Sequence, residues 1–356
     1  MKVESPKTQY DSVPINEQLV FSFNVAKEVD NGEDAEPVIV IKDNSCFISV
    51  CDGMGGAGSN IYSCDGINRT GAYLSSRIIN KCAEKYFTIK IENHSFELNI
   101  NTTGDLKRSF INELQSELSK FKKDSESKLK SKLLKQLPTT FSGLFIKSEN
   151  ESITVDSIWV GDSRSFIYTK SNGLQQLSKD DLKQDMDPFE NLTKDSQLNN
   201  IISAEGDFQI RHKKFSFKEP CFFFSATDGC FAYFNTPMQF EYAVCDCISN
   251  SNNINEFKNN LEEKIKQVAG DDFSIAFIAR GYKYFKEIKE DVEQNLHQLH
   301  LEYQNQLQHF DDKLNDLQKN REKIEIDIKD LIAKRYFEQK SRWDDYKIKY
   351  LEKLSS

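Results

Sequence analysis

The chain has 356 residues, 38% of them hydrophobic and 29% charged, which leaves room for about two domains, or one large domain with an extension. A formal charge of −9, from 47 Lys and Arg against 56 Asp and Glu, repels nucleic acid and anionic membrane, so neither is expected as a partner. No apolar run approaches the ~18 residues of a membrane span and the opening MKVESPKTQYDS has no signal-like apolar stretch, which makes the cytoplasm the expected location.

Residues 1–19 read as an N-terminal extension, and from Val20 to Gly281 short apolar runs bounded by Gly, Asp, Asn and Ser predict strands and turns. Among the predicted strands are CFISV before Asp52, SIWV before Gly161, CFFFSA before Thr227 and FSIAFIA after Asp272. The polar stretch SNIYSCDGINRT (59–70) reads as a loop. Leu106, Phe110, Leu114, Leu118, Phe121, Leu129, Leu133 and Leu137 space out a core-facing helix, with Asp105 as cap candidate and Pro138 as its end. Residues 282–356 contain no Gly and no Pro and are dense in Glu, Lys, Gln, Leu and Ile, the composition of a long helical tail. There Val292, Leu296, Leu299, Tyr303, Leu307, Phe310, Leu314, Leu317, Ile324, Ile328 and Leu331 step by 3 and 4, with a stutter at 299, 303 and 307. This predicts a coiled coil; the alternative is an amphipathic helix packed on its own domain, since Arg321 occupies one seam position.

The eight cysteines lack C-x-x-C spacing and several lie inside apolar runs, so they are expected to be buried small hydrophobes. With only five histidines, three of them in the helical tail, a histidine triad or zinc site has little to work with. Chemistry must therefore run on carboxylates. Asp52 in CDGMGG, Asp162 in GDSR and Asp228 in TDG follow predicted strands, while Asp271 and Asp272 in GDD precede one. Antiparallel neighbours would bring these acids to one edge, where like charges raise each other's pKa unless cations neutralise them. An all-oxygen donor set suits Mg²⁺ or Mn²⁺, and Gly53 permits a turn in which a backbone carbonyl also faces the ion.

These motifs, in this order, resemble the metal-dependent protein phosphatases of the protein phosphatase 2C type. The resemblance covers Asn24 to Gly281 through NGED (31–34), VCDGMGG (50–56) in a bacterial form with Met54, PTTFSGLFI (138–146), WVGDSRSFIY (159–168), LQQLSKDD (174–181), FFFSATDG (222–229) and GDDFSIAFIA (270–279). It implies an α+β fold: an α-β-β-α sandwich of two antiparallel sheets flanked by helices over residues 20–281, followed here by a coiled-coil tail, 282–356. It also implies a dinuclear Mn²⁺ or Mg²⁺ centre that hydrolyses phosphoserine and phosphothreonine in proteins by attack of a metal-bridging water, with no phosphoenzyme. Carried over, Asp52 would bridge both ions and the Gly53 carbonyl would bind the second. Asp228 and Asp271 would hold the first ion, Glu33 and Asp34 would ligate or anchor waters opposite, and Asp162 would serve a weak third ion.

The chain departs from that pattern at Val29, where an Arg usually grips phosphate, at Ala232, where an Asp serves the third ion, and in lacking a His after the LSKDD segment. Two readings follow from different classes. One is a working phosphatase acting on phosphoproteins made by a serine/threonine kinase. The other is a weak or inactive phosphatase-like module that scaffolds partners. In both, residues 283–350 are expected to form a homo-oligomer or dock a partner helix.

Overall fold

The computed structural model describes residues 19–352 apart from 29–30, 65, 94, 126–133, 150–151, 184–186, 194–196 and 302–304. The chain divides into two compact units, Met1–His297 and Gln298–Ser356. In chain order the elements are β1 (Val20–Val25), β2 (Val38–Lys42), β3 (Ser45–Val50), β4 (Ile61–Cys64), β5 (Ile67–Thr70), α1 (Gly71–Ile91), α2 (Ile100–Leu118), β6 (Lys122–Ser125), β7 (Phe141–Glu149), β8 (Ser152–Val160), β9 (Arg164–Thr169), β10 (Gly173–Gln176), α3 (Pro188–Thr193), β11 (Arg211–Phe217), β12 (Cys221–Ala226), α4 (Pro237–Ser249), α5 (Ile254–Lys266), β13 (Phe273–Arg280), α6 (Phe285–Leu299) and α7 (Asn305–Leu351).

Two five-stranded antiparallel sheets, ordered β1-β13-β12-β9-β10 and β11-β8-β7-β3-β2, form the sandwich. Side chains alternate across each strand, and both faces are covered, which is why every residue of β12 and β13 is buried and most are apolar instead of alternating with polar residues. Cys46, Ile48, Val50, Leu144, Ile146, Ile167, Phe223, Ala276 and Ile278 fill the space between the sheets. The opposite face of β3 and β7 presents Phe47, Phe141 and Phe145 to Phe87 of α1 and Phe110 of α2. On the other flank Phe277 stacks on Phe21 at 4.8 Å and meets Phe257 of α5 edge-on at 5.4 Å. The seven described cysteines are all buried and unpaired, as their apolar settings predict.

Three elements differ from the sequence reading. Residues 59–70 are not simply a loop: β4 and β5 form a hairpin that β6 extends to a third sheet. The central helix begins at Ile100, five residues before Asp105, because Asn99 and Thr102 make a reciprocal capping box, and it ends at Leu118. Leu129 and Leu133 lie outside the described residues, while Leu137 is buried with a left-handed φ of 54°.

Along the tail, Val292 is not a seam position: with Phe285 and Ile288 it is the buried face of α6. Asn295 donates to the Tyr168 hydroxyl and to the Lys170 carbonyl, further tying α6 to the strand β9. In the second unit α7 runs 47 residues with Phe310, Leu314, Leu317, Ile324, Ile328 and Leu331 exposed. Among the described residues no helix is long and apolar enough to cross a membrane.

Candidate metal centre

Strand direction gathers the acids. β3 and β8 both run antiparallel to β7 between them, so their C-terminal ends, and Asp52 and Asp162 just beyond, emerge at one edge of their sheet. In the other sheet β12 and β13 are antiparallel neighbours, which puts Asp228 after β12 beside Asp271 and Asp272 before β13. The segment carrying Glu33 and Asp34 is tied to both sheets: the Ala35 amide donates to the Cys51 carbonyl at 3.0 Å, and Asn24 of β1 donates to the Asp34 carbonyl at 3.1 Å.

The carboxyls act on one another. Asp34 is 1% exposed; burial first, then Asp228 and Asp272, push it up to about 7, against the hydrogen bond from Thr227. Asp52 is held well above the carboxylate range by burial and by Asp34, Asp228 and Asp162. Burial and Asp271 raise Asp228 to about 6, and burial with Asp228 and Asp180 raises Asp162. Glu33 is raised by burial and by Asp272 and Asp271, opposed by its hydrogen bond from Thr70. In each case burial is the first cause and a neighbouring acid adds to it, a combination that a cation beside the carboxylates would offset.

Hydroxyls and amides set the orientation of these groups. The Thr227 hydroxyl accepts from the Ser274 amide at 2.9 Å and so aims its proton at Asp34 Oδ2, 2.8 Å away. Thr70, the N-cap of α1, accepts from the Tyr73 amide at 3.0 Å and donates to Glu33 Oε1 at 2.7 Å. Asp272 takes the Glu33 amide at 2.6 Å and the Lys27 amide at 2.7 Å on its two oxygens. The Asp52 carbonyl accepts from the Thr140 amide at 2.8 Å and from the Thr139 hydroxyl at 2.6 Å. Gly53 is fixed by close approach: a Cβ there would sit 2.5 Å from the Ala72 carbonyl oxygen and 2.6 Å from that of Glu33. At Gly229 a Cβ would collide with the Asp272 carbonyl.

One buried cation faces the acids. Arg164 binds Asp180 through Nε at 2.9 Å and Nη2 at 2.6 Å, both side chains under 10% exposed. It lies over the Phe231 ring at 4.4 Å and partly offsets the charge on Asp162 and Asp228. Asp181 of the same Asp pair binds Arg211 at 3.0 Å and Asn200 at 2.5 Å, bracing the turn at Gly161. Arg164, Asp180, Thr70 and Thr227 escaped the sequence reading, because their partners are up to 193 positions away. Val29 lies outside the described residues; Ala232 donates its amide to the Asp228 carbonyl at 2.8 Å, inside the turn that presents Asp228.

The donor set fits a hard divalent cation. Its side-chain donors are all carboxylate oxygens, and Asp162 Oδ1 is buried with no hydrogen-bond partner among the described residues, an expensive state for a carboxylate unless a cation meets it. Among the described residues no three His, Cys, Asp or Glu side chains are already drawn together around one point.

Two antiparallel sheets flanked by helices, with acids at the strand ends along one edge, define the metal-dependent protein phosphatase class. The protein phosphatase 2C family model matches residues 30–266, more than half of the chain, which therefore belongs to that family of serine/threonine protein phosphatases. In fold it is similar to a bacterial serine phosphatase, at 13% identity and a TM-score of 0.50 over 74% of this chain and 98% of that one. It is similar to the same degree to serine/threonine phosphatase Stp1 from Staphylococcus aureus, at 13% identity and a TM-score of 0.50 over 79% of this chain and 100% of that one. No curated protein sequence matches the chain.

Proposed function

We propose that residues 20–281 form a cytoplasmic Mn²⁺- or Mg²⁺-dependent hydrolase of phosphoserine and phosphothreonine in proteins, acting on the products of a serine/threonine kinase. Two ions would be held by Asp52, the Gly53 carbonyl, Asp228, Asp271, Glu33 and Asp34, with Asp162 at a weaker third position. The observation that carries the reading is the gathering of Asp34, Asp52, Asp162 and Asp228, each raised first by burial and then by neighbouring acids, a cost that cations would relieve. When bound, such ions lower the pKa of an attacking water and neutralise charge growing on the phosphoryl oxygens.

The chain's own residues hold the donors in register. Thr227 and Thr70 each aim a hydroxyl proton at one ligand carboxylate, which favours the ionised form against the opposing effect of burial. Asp272 fixes the backbone on which Glu33 rides. Arg164, anchored on Asp180, reduces repulsion among the inner acids without itself needing a proton exchange.

The tail in this reading joins two copies of the chain through Phe310, Leu317, Ile324 and Leu331, which are exposed at seven-residue intervals. Eleven Lys and Arg against ten Asp and Glu along Asn305–Leu351 leave self-pairing unopposed by net charge.

Hydrolysis of a phosphothreonine peptide by purified protein, with Mn²⁺, with Mg²⁺ and with chelator, tests the activity. Metal-dependent turnover that Asp52→Asn abolishes is expected. No turnover, together with no Mn²⁺ uptake by calorimetry, would replace this reading with that of a phosphatase-like binding module.

A further inference from the structure

Along α7 the exposed apolar residues follow a seam that reads the same from both ends. In its first half Phe310, Leu314, Leu317, Ile324 and Ile328 are exposed, and in its second half Ile332, Tyr336, Trp343, Tyr346 and Tyr350. Steps of 3 and 4 join them once Arg321 and Gln339 fill the two remaining positions. Counted outward from Asp330 the halves coincide: Ile328 and Ile332 stand 2 residues away, Ile324 and Tyr336 stand 6, Arg321 and Gln339 stand 9, and Leu317 and Trp343 stand 13. Leu314 and Tyr346 follow at 16, Phe310 and Tyr350 at 20. The helix runs unbroken from Asn305 to Leu351, so its own halves cannot fold onto each other, and the matching half has to come from a second copy.

Two such helices can pair in the same or in opposite directions, and the seam separates the two cases. In the same direction Trp343 meets Trp343, each seam Tyr meets itself, and Arg321 meets Arg321 as a like-charge layer. Turned end for end, Trp343 faces Leu317, Tyr336 faces Ile324 and Tyr346 faces Leu314, so a large side chain packs against a smaller one in each of these layers. Arg321 then faces Gln339, whose carboxamide oxygen can accept from it. Charge points the same way: residues 310–329 carry five Lys and Arg against six Asp and Glu, and residues 331–350 carry six against three. The basic half meets the slightly acidic one only when the directions are opposed. Within its own helix Arg321 pairs with Glu325 at 3.6 Å, both side chains exposed, an ion pair of little weight.

Building on the pairing through α7 put forward above, we infer that two copies of the chain pair antiparallel about Asp330, with Arg321 of each opposite Gln339 of the other. Leu331, exposed beside Ile332, widens the apolar stripe at the centre. At about 1.5 Å per residue the two chains enter the pair at opposite ends, their Asn305 residues roughly 75 Å apart.

Sedimentation of the full chain gives the dimer dissociation constant, and Gln339→Glu gives the direction, each variant being checked for unchanged helicity by circular dichroism. Opposed helices put the new carboxylate across from Arg321, so the dissociation constant should fall about 3–10-fold. Helices in the same direction put the two new carboxylates against one another; a weaker or unchanged dimer would overturn the proposal. Mild oxidation supplies a second measurement. Leu317→Cys and Trp343→Cys in one chain should give a disulfide-linked dimer on a non-reducing gel, while wild type and each single substitution stay unlinked. Equal linking by Leu317→Cys alone would overturn the antiparallel arrangement and leave the pairing in place, whereas a monomeric wild type would refute the pairing itself. Neither result touches the phosphatase reading, which the peptide assay tests separately.

Discussion

Replacing Asp34 by Asn should stabilise the metal-free protein and weaken its response to metal. Asn keeps the volume, and its Oδ1 can accept the same proton from Thr227 that Asp34 Oδ2 accepts at 2.8 Å. What is lost is a charge that burial and then Asp228 and Asp272 disfavour, lifting the carboxyl from 3.8 to about 7. A folded pKa above the unfolded one means that the folded protein holds a proton the unfolded chain releases. Stability is therefore fully present below about pH 4 and declines as pH rises to about 7. The ionised group then costs the folded state on the order of 2–4 kcal/mol, allowing for relaxation of a full shift at 1.36 kcal/mol per pKa unit. For a sandwich of this size that is roughly 4–8 °C in melting temperature. In chelator at pH 8, Asp34→Asn should melt higher than wild type by about that margin, and near pH 4 the two should converge. Mn²⁺ should narrow or invert the difference at pH 8, because ion binding stabilises wild type in proportion to affinity. The reasoning fails if the variant melts at or below wild type in chelator at pH 8, or if Mn²⁺ raises both equally.

Arg280→Met is expected to raise stability by roughly 1–3 kcal/mol, since Arg280 is 3% exposed and its guanidinium meets no oxygen acceptor among the described residues, with the weakly polar Cys46 thiol beside it. A urea midpoint lower than wild type's would count against it. Removing residues 302–356 should leave peptide hydrolysis and the melting temperature of the sandwich unchanged while lowering the sedimentation coefficient to that of a monomer. An assembly state indifferent to the deletion would refute pairing through α7.

The gathering of the acids was legible because Asp52, Asp162 and Asp228 sit where strands stop. CFISV before Asp52, SIWV before Asp162 and CFFFSA before Asp228 are apolar on both faces, so the switch to Asp and Gly marks a strand end wherever it occurs. Less could be read where order depends on distant partners. Residues Ile61–Thr70 show no period-2 alternation, and the hairpin they form is completed by Lys122–Ser125, far along the chain. The helix start was missed because Asn99 and Thr102 cap through a reciprocal bond, whereas Asp105 only matched a composition rule. In the tail, one 3–4 spacing covers two outcomes: Val292 is buried while Phe310 is 62% exposed. Periodicity names a face, but what covers that face is decided elsewhere in the chain or outside it.

The same distinction explains how the molecule can carry so costly a cluster. Acids raised by burial and by neighbouring acids would weaken a small domain, but here Asp52, Asp162 and Asp228 follow strands in a sandwich whose faces are filled by Phe47, Phe141, Phe222, Phe224 and Phe277, all at most 1% exposed. The sandwich is thus rigid where the ligands are anchored, and the repulsion cannot be relieved by moving the strands apart without opening both hydrophobic layers. Relief must come from protons or from cations. Because protons neutralise the acids singly and a divalent ion would meet several at once, rising pH would favour a cation over protons at this cluster.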